Sequence, residues 1–390
     1  LSKKAFFALY FAAFISMLGL GIISPILPLF AEKLHASGFW VGMIFTGFVI
    51  SRAVFMPFIG KISDKTGRKI YIAGGLLLYA VISVCYLYAS NVYLLTLVRL
   101  AHGVASGMII PVVMAYAGSC AKKGQEGATM GTLNMMLYLG MAAGPFFGGV
   151  VSGMLGFRAV FYGMAIVSVI GFVVTLFFLP EMKAQGSRSE QPTMPFKEIM
   201  KYNIIKMVLL VSIIITLREA VLMSFLPTLA QNVKIDASQV GIIISVGILC
   251  AGILQTPFGK LADRLKGAGK LYQIIIGSII GTLALVALPF FSDFSMFLVL
   301  GSVIGIGAAI STPAIMSISV LAGQVSGMGM WMAILNTAMS IGFIVTPLVS
   351  GIVMDSMGIN SVFYLFGCVS LAGTAICFYY MRKRLKGYKK

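Results

Sequence analysis

The sequence predicts an all-α membrane protein with twelve transmembrane helices arranged as two pseudo-symmetric six-helix bundles. Three observations carry this expectation. Hydrophobic residues make up 59% of the chain and charged residues 10%, with a mean hydropathy of +1.01, whereas an ordinary soluble domain carries about 25% charged residues. Apolar runs recur from end to end, and a run of about 20 residues crosses a hydrocarbon core of about 30 Å as a helix rising 1.5 Å per residue. The runs also repeat in order at a half-chain offset.

Taken in order, the first span is expected over 5–30, after Lys3 and Lys4. It is too long for a cleavable leader and lacks a small-residue cleavage site. Span 2 (38–59) stops at the basic run Lys61 to Lys69, and spans 3 (70–89) and 4 (92–118) follow. Spans 5 (128–153) and 6 (157–179) close the first set before a polar stretch from Pro180 to Tyr202. Span 7 covers 203–230, and span 8 (239–258) stops at Lys260 to Lys270. Spans 9 (271–291), 10 (294–320), 11 (329–352) and 12 (360–381) lead to the basic tail Arg382 to Lys390. Strands of a barrel would alternate in polarity over about ten residues, and these runs are continuously apolar.

The formal net charge of +18 is a topology signal rather than a nucleic-acid footprint. Lysines and arginines crowd every second loop and both termini, while the alternate loops hold only Lys33, Arg158 and Lys234 as cations. The positive-inside rule then places both termini in the cytoplasm of a multi-pass inner-membrane protein. Cys85, Cys120, Cys250, Cys368 and Cys377 show no metal or redox spacing and read as small apolar fillers.

The polar stretch divides the chain into expected domains: 1–180, a linker at 181–202, and 203–390. The two halves repeat in sequence. Leu27-Pro28 matches Leu226-Pro227, and Gly60 to Lys65 matches Gly259 to Arg264, both 199 residues on. Pro111 matches Pro313, Pro145 matches Pro347, and Val160-Phe161-Tyr162 matches Val362-Phe363-Tyr364, all 202 residues on. Several registers agreeing this closely indicate a duplicated plan. Parallel repeats of this kind place a substrate site at midplane between two rocking halves.

Three motifs stand out. The first is Gly60-Lys61-Ile62-Ser63-Asp64-Lys65-Thr66-Gly67-Arg68-Lys69 after span 2, with a second copy from Gly259 through Asp263 to Arg264. A tight turn there needs its glycines, and Asp64 is placed to pair with a cation or to cap a helix N-terminus. The second is Arg99-Leu100-Ala101-His102-Gly103 in span 4. The third, in span 5, runs from Gly140 through Gly144 and Pro145 to Gly148 and Gly149, with small residues spaced for close helix approach. Together they resemble the major facilitator superfamily over nearly the whole chain, and within it the twelve-span drug:proton antiporters. The resemblance implies the major facilitator fold, transport by alternating access, and a cytoplasmic latch at Gly60, Asp64, Lys65, Gly67 and Arg68. A weaker latch is expected at Gly259, Asp263 and Arg264, where the second copy loses its Gly-Arg ending. It also implies an antiporter role for the span-5 glycines and Pro145, and a gating role for Arg99.

An ionisable side chain at the bilayer centre costs about 2.5 to 3.5 kcal/mol on insertion scales, so each one requires a reason. Of eleven acids, only Glu219 lies deep in a span. An isolated carboxyl in a medium of low dielectric favours its neutral form, which makes Glu219 the candidate proton carrier; the alternative is a permanently ionised structural partner of an arginine. Arg218, Arg52 and Arg99 are the deep cations. Arg99 either gates protonation, as the resemblance implies, or satisfies backbone carbonyls at a kink. His102, one turn from Arg99, either titrates or stands in for a hydrogen-bonding glutamine. Three arginines against one acid suit neutral, zwitterionic or anionic amphiphiles.

No Gly-x-x-x-x-Gly-Lys-Ser/Thr loop is present, which disfavours ATP-driven transport. The sequence offers no metal-ligand cluster and no carboxylate pair in a polar pocket, so an enzyme is not expected. The expectation is a proton-coupled exporter of small amphipathic compounds, of multidrug-efflux type. It needs no cofactor beyond the proton gradient, and its partners are the substrate, protons and the lipid bilayer. A monomer is expected and nucleic acid is not. The alternatives are a lipid or lysolipid flippase of the same fold and a non-transporting membrane sensor.

Overall fold

The computed structural model describes residues 3–120, 126–182, 203–265, 268–326 and 328–387. Among them every regular element is helical. The first helices are α1 (Lys3–Lys33), α2 (Gly38–Thr66), α3 (Lys69–Leu87) and α4 (Val92–Cys120). A single 53-residue element, Glu126–Phe178, follows and breaks at Gly156, whose φ of 80° and ψ of 171° are not helical. Its two arms are α5 (126–155) and α6 (157–178). Then come α7 (Asn203–Asn232), α8 (Ala237–Arg264), α9 (Ala268–Ala287), α10 (Phe294–Ser326), α11 (Met328–Met357) and α12 (Ile359–Gly387). A short 3₁₀ turn, Leu288–Phe290, separates α9 from α10. Eleven elements among the described residues are long and apolar enough to cross a membrane, the kinked one counted once. Hydrocarbon offers backbone groups no partner, so an apolar chain of this kind satisfies them within helices.

The repeat read in the sequence reappears in the backbone. The turn from α1 to α2 places His35 at φ 57°, and the turn from α7 to α8 places Lys234, 199 residues on, at φ 63°. Both helices close with the same bonds: Ala36 N–H donates to Ala31 C=O at 3.0 Å, and Ile235 N–H donates to Ala230 C=O at 2.9 Å. Gly156 and Gly358, 202 residues apart, share φ values of 80° and 82°. These left-handed residues end each helix and turn the chain back.

The contact pattern gives two compact units. The first joins Leu1–Ser187 with Leu226–Ser245, and the second joins Arg188–Phe225 with Val246–Lys390. In the first, α1 packs chiefly on the kinked α5–α6 element, α2 on α4, and α3 on α4 and the α5–α6 element. In the second, α9 packs on α10 and α12 around an apolar core that includes Val208, Ile215, Ile274, Ile315, Leu335 and Cys377. Helix α7 passes from the second unit to the first between Phe225 and Leu226. Most of the expected linker, residues 183–202, lies outside the described residues.

One expectation is corrected. The segment Gly60 to Thr66 was expected to form a glycine-dependent loop, but α2 continues through it and Gly60 lies inside the helix, with open space where a side chain would go. Only Gly67 makes the turn, at φ 119°. Gly259 likewise lies inside α8. Apolar residues between the polar ones keep the helical ladder intact, and a helix extending past the bilayer needs no break at its edge.

Candidate functional site

In the second unit, α7 carries Arg218 and Glu219 side by side, and the helix sends them in different directions. Arg218 is 1% exposed. Its NH1 donates to the Ser278 carbonyl on α9 at 2.7 Å and to Thr282 Oγ1 at 3.4 Å, while its buried Nε has no partner among the described residues. Room for the guanidinium comes from Gly281, where a β-carbon would fall 2.9 Å from Arg218 Cζ. Glu219 is half-buried on a face it shares with Leu222 and Met223. The two other faces of this stretch are occupied: Thr216 lies against Gly342 of α11, and Ile214 lies against Gly373 of α12. The expected acid and its neighbouring cation thus differ in setting, one locked between helices and the other on the more open side.

In the first unit, the span-4 motif builds a buried polar box. Arg99 is 2% exposed, and its guanidinium stacks 4.5 Å over the Phe48 ring and 5.6 Å over Phe45. Its Nε donates to the Ile44 carbonyl at 3.4 Å. NH1 lies 3.5 Å from His102 Nδ1, which is also 3.0 Å from the Tyr86 hydroxyl. A guanidinium has only donors, so Nδ1 facing it is an acceptor and the imidazole carries its proton on Nε2. That Nε2 is buried without a hydrogen-bond partner among the described residues, and the ring meets Tyr79 edge-on at 4.4 Å. Tyr86 in turn stacks on Phe161 at 4.9 Å. The structure therefore brings Arg99 and His102 together and adds Tyr79, Tyr86 and Phe48, which the sequence reading did not single out. Arg52 is half-buried, and its backbone lies along the α4 glycines Gly103 and Gly107.

The signature turn after α2 is held by residues from the end of α6. Arg68, 5% exposed, donates from NH1 to the Ala115 carbonyl at 2.8 Å and to Ser119 Oγ at 2.7 Å on α4. Its backbone N–H donates to the Met182 carbonyl at 3.1 Å. Glu181 Oε1 accepts from Lys69 N–H and Met182 N–H, both at 3.1 Å, and the Tyr116 hydroxyl donates to the Pro180 carbonyl at 2.8 Å. Glu181 thus caps the N-terminus of α3, a role the sequence had offered to Asp64, whose side chain lies outside the described residues. The missed signal was an acid directly after Pro180, where a helix has just ended. Lys65 is exposed at the end of α2. In the second copy, Asp263 and Arg264 are exposed, and Lys270, 202 residues beyond Arg68, donates to Ser317 Oγ of α10 at 2.5 Å.

The span-5 motif forms a seam. A β-carbon at Gly144 would lie 2.6 Å from Gly21 Cα, and one at Gly140 or Gly148 would collide with the Phe14 or Ile22 carbonyl of α1. Pro145 Cδ lies against Gly21. On the adjacent face, a β-carbon at Gly149 would fall 2.5 Å from the Ala237 carbonyl at the start of α8, a segment of the same unit. At the ends of α1 and α7, Thr228 Oγ1 donates to Glu32 Oε1 at 2.7 Å. Beside this bond lies a cavity of about 390 Å³ lined in part by Glu32, Lys33, Phe157 and Asp236. Among the described residues no group of three His, Cys, Asp or Glu side chains is placed to hold a metal ion.

Comparison with known proteins gives a consistent picture. The sequence profile of the Major Facilitator Superfamily matches residues 9–217 and again 208–390. An uncharacterized MFS-type transporter of Methanocaldococcus jannaschii is 29% identical over 280 residues, 70% of this chain and 72% of that protein. The multidrug resistance protein MdtG of Proteus mirabilis is 29% identical over 286 residues, 70% of this chain and 71% of that protein. The quinolone resistance protein NorA of Staphylococcus aureus is 26% identical over 297 residues, 75% of each chain. Among solved structures, a bacterial homolog of the human lysosomal transporter Spinster superposes with a TM-score of 0.85 at 13% identity, covering 99% of both chains. The nucleoside transporter NupG superposes with a TM-score of 0.76 at 16% identity, covering 96% of this chain and 99% of that one.

Proposed function

The chain belongs to the Major Facilitator Superfamily, matched along both of its halves, and from that premise we propose a proton-coupled exporter of small amphipathic compounds that works by alternating access. That it is a multi-pass membrane transporter and not an enzyme follows from the family. Coupling, direction and substrate class are the proposal. In this reading the halves 1–180 and 203–390 rock about the linker, both termini face the cytoplasm of the inner membrane, and a monomer is the working unit. The proton gradient is the energy source, and each proton moving inward supplies about 2.3 kcal/mol per 100 mV and about 1.4 kcal/mol per unit of pH difference.

The observation that carries the reading is Glu219, a half-buried carboxyl at mid-span beside a wholly buried arginine. A carboxyl there exchanges a proton only when its surroundings change, and α7 is the helix whose packing passes from one compact unit to the other about 10 Å further along its axis. The multidrug resistance protein MdtG and the quinolone resistance protein NorA lend support to an amphipathic, drug-like cargo.

A second reading, a lipid or lysolipid flippase, is favoured by charge: Arg99 and Arg218 are both buried, and an anionic or zwitterionic headgroup would complement them. Reconstitution into proteoliposomes under an imposed pH gradient separates the two. The probes are ethidium, norfloxacin and lysophosphatidylcholine, each tested with the wild type and with Glu219→Gln. Gradient-driven movement of a dye or quinolone that Glu219→Gln abolishes is the expected result. Gradient-driven transport that survives Glu219→Gln removes the coupling role, and activity confined to the lysolipid selects the second reading.

A further inference from the structure

We infer that the first half binds a small inorganic anion of the chloride class within its helix packing, held by Ser16 of α1, Tyr79 of α3, and His102 and Ser106 of α4. The inference is independent of the coupling role proposed for Glu219.

Four polar groups meet at this place. The Tyr79 hydroxyl lies a long 3.5 Å from the Ser16 carbonyl, and the side chains of Ser16 and Ser106 stand beside it. The Tyr79 ring meets the His102 imidazole edge-on with centroids 4.4 Å apart, and Ser106 follows His102 by one turn on the same side of α4. All four residues are wholly buried. Ser16 Oγ, Ser106 Oγ and His102 Nε2 have no hydrogen-bond partner among the described residues. Polar atoms buried in this way are satisfied in nearly every folded protein, so three of them around one hydroxyl call for a shared partner.

The kind of partner follows from what these groups can give. His102 Nδ1 faces the Arg99 guanidinium at 3.5 Å, which leaves the proton on Nε2, and a protonated ring nitrogen only donates. Each of the three hydroxyls can turn its hydrogen toward the same point. The field there is positive. Arg52 and Arg99 both act on the Tyr79 hydroxyl, and the Ile44 carbonyl, His102 Nδ1, Phe45 and Phe48 that surround Arg99 are neutral. The six spans of this half contain no acid. Glu32 and Glu181, the acids of this half whose side chains are described, are held at helix ends by Thr228 and by Lys69 N–H. A cation taken out of water is costly unless an opposite charge accompanies it. Convergent donors in a positive field suit a monovalent anion and repel a cation, whereas water would satisfy the donors and leave the charge uncompensated.

The duplicated half is an internal control. The positions that match Ser16, Tyr79, His102 and Ser106, 199 or 202 residues on, are Ile215, Gly281, Ile304 and Ala308. Ile215, Ile304 and Ala308 are likewise buried. The fold thus closes the same crossing with apolar residues, and the polar set of the first half is not a demand of the packing.

The probes are chloride and bromide themselves. Purified protein is unfolded thermally at constant ionic strength while sodium gluconate is exchanged for sodium chloride. A saturable rise of the midpoint with chloride, reproduced by bromide, is expected. Ser106→Ala, which imports the residue of the second half, removes one donor and is expected to raise the half-saturating chloride concentration about tenfold or more. Tyr79→Phe is expected to do the same. Crystals grown in bromide are expected to show an anomalous peak beside Tyr79 and Ser106. An unmoved midpoint, a response that never saturates, or full chloride affinity in both variants overturns the inference. So does ordered water at the site without anomalous signal, or a bromide peak confined to surface lysines, which means an adventitious ion only. Should Tyr79→Phe not fold, Ser106→Ala and the anomalous map decide.

Discussion

The two halves of this transporter share a backbone plan and differ in the side chains set into it. At one crossing in the first half, Arg99 of α4 stacks on Phe48 of α2 at 4.5 Å. The equivalent positions of the second half are Gly301 and Gly247, where a β-carbon on Gly247 would lie 2.9 Å from the Gly301 carbonyl. At the α1–α3 crossing Gly19 meets Tyr79, and at its counterpart Arg218 meets Gly281. The arginine stacked at this crossing of the first half thus sits on the fourth helix, and the fully buried arginine of the second half sits on the seventh. Other contacts are kept: a β-carbon at Gly171 would lie 2.6 Å from Ile15 Cδ1, and one at Gly373 would lie 2.5 Å from Ile214 Cδ1. Duplication preserved the close helix approaches and made the polar interior asymmetric.

The largest effect is expected where the halves differ in size at a matched seam. Gly144 and Gly148 correspond to Thr346 and Ser350, both buried in the second half. Importing that threonine into the first half, as Gly144→Thr, drives side-chain atoms into Gly21, whose Cα would be 2.6 Å from the new β-carbon. Overpacking typically costs about 1 to 3 kcal/mol, and backbone on the far side has little room to yield. Loss of the monodisperse peak in size-exclusion chromatography is expected, whereas the reciprocal Thr346→Gly should cost about 1 kcal/mol or less and still fold. Equal tolerance in both halves would break the comparison.

Next in size is the polar box. Arg99→Met removes the cation from Phe48, one of the two donors that face His102 Nδ1 and the side-chain donor of the Ile44 carbonyl. The expected loss is about 2 to 3 kcal/mol in thermal unfolding of the purified protein, with transport abolished. Replacing Arg99 and Phe48 together by glycine reproduces the second-half pair. The sum of the two single effects should then exceed the double, because each residue's partner is already gone.

Much of this arrangement was legible in the sequence, and the limits are physical. Span positions, the half-chain repeat and the isolated Glu219 follow from apolar period and from the cost of charge in hydrocarbon, both properties of the chain read locally. The glycines at 140, 144 and 148 could be read as a seam because their spacing places them on one helix face. The capping of α3 by Glu181 joins residues 112 positions apart, and no local pattern announces it. The same holds for Gly281, which reads as an ordinary packing glycine until Arg218 is seen beside it. The continuation of α2 through Thr66 was hidden because a glycine-bearing charged segment scores as a turn, while here the helix simply outlasts the membrane.

A smaller contrast concerns the two copies of the charged motif at the ends of α2 and α8. Arg68 makes two side-chain bonds to α4, and Lys270 at the equivalent place makes one to α10. A hydrogen bond to a charged group contributes about 1.5 to 3 kcal/mol when buried, and Lys270 is only half-buried. Arg68→Ala should therefore lower the unfolding midpoint more than Lys270→Ala. Arg68→Lys should fall between wild type and Arg68→Ala, because an ammonium cannot match the planar fork of the guanidinium. A larger effect at Lys270 would mean that the second copy is the stronger clasp.

The smallest effect belongs to His102. Glutamine also offers an acceptor to Arg99 and Tyr86 and needs no charge to do so, so His102→Gln is expected to change transport less than about threefold, within about 0.6 kcal/mol. His102→Leu keeps the volume and removes the acceptor that Tyr86 and Arg99 share, at a cost of about 1 to 3 kcal/mol. The pair of variants separates two roles for the imidazole. If the ring only accepts hydrogen bonds, glutamine suffices at every pH; if it carries a proton, the glutamine variant loses the part of the pH profile that the histidine supplied. The Arg99 guanidinium, which has only donors, faces Nδ1 at 3.5 Å and engages that nitrogen as an acceptor, and the expected outcome is an unchanged profile.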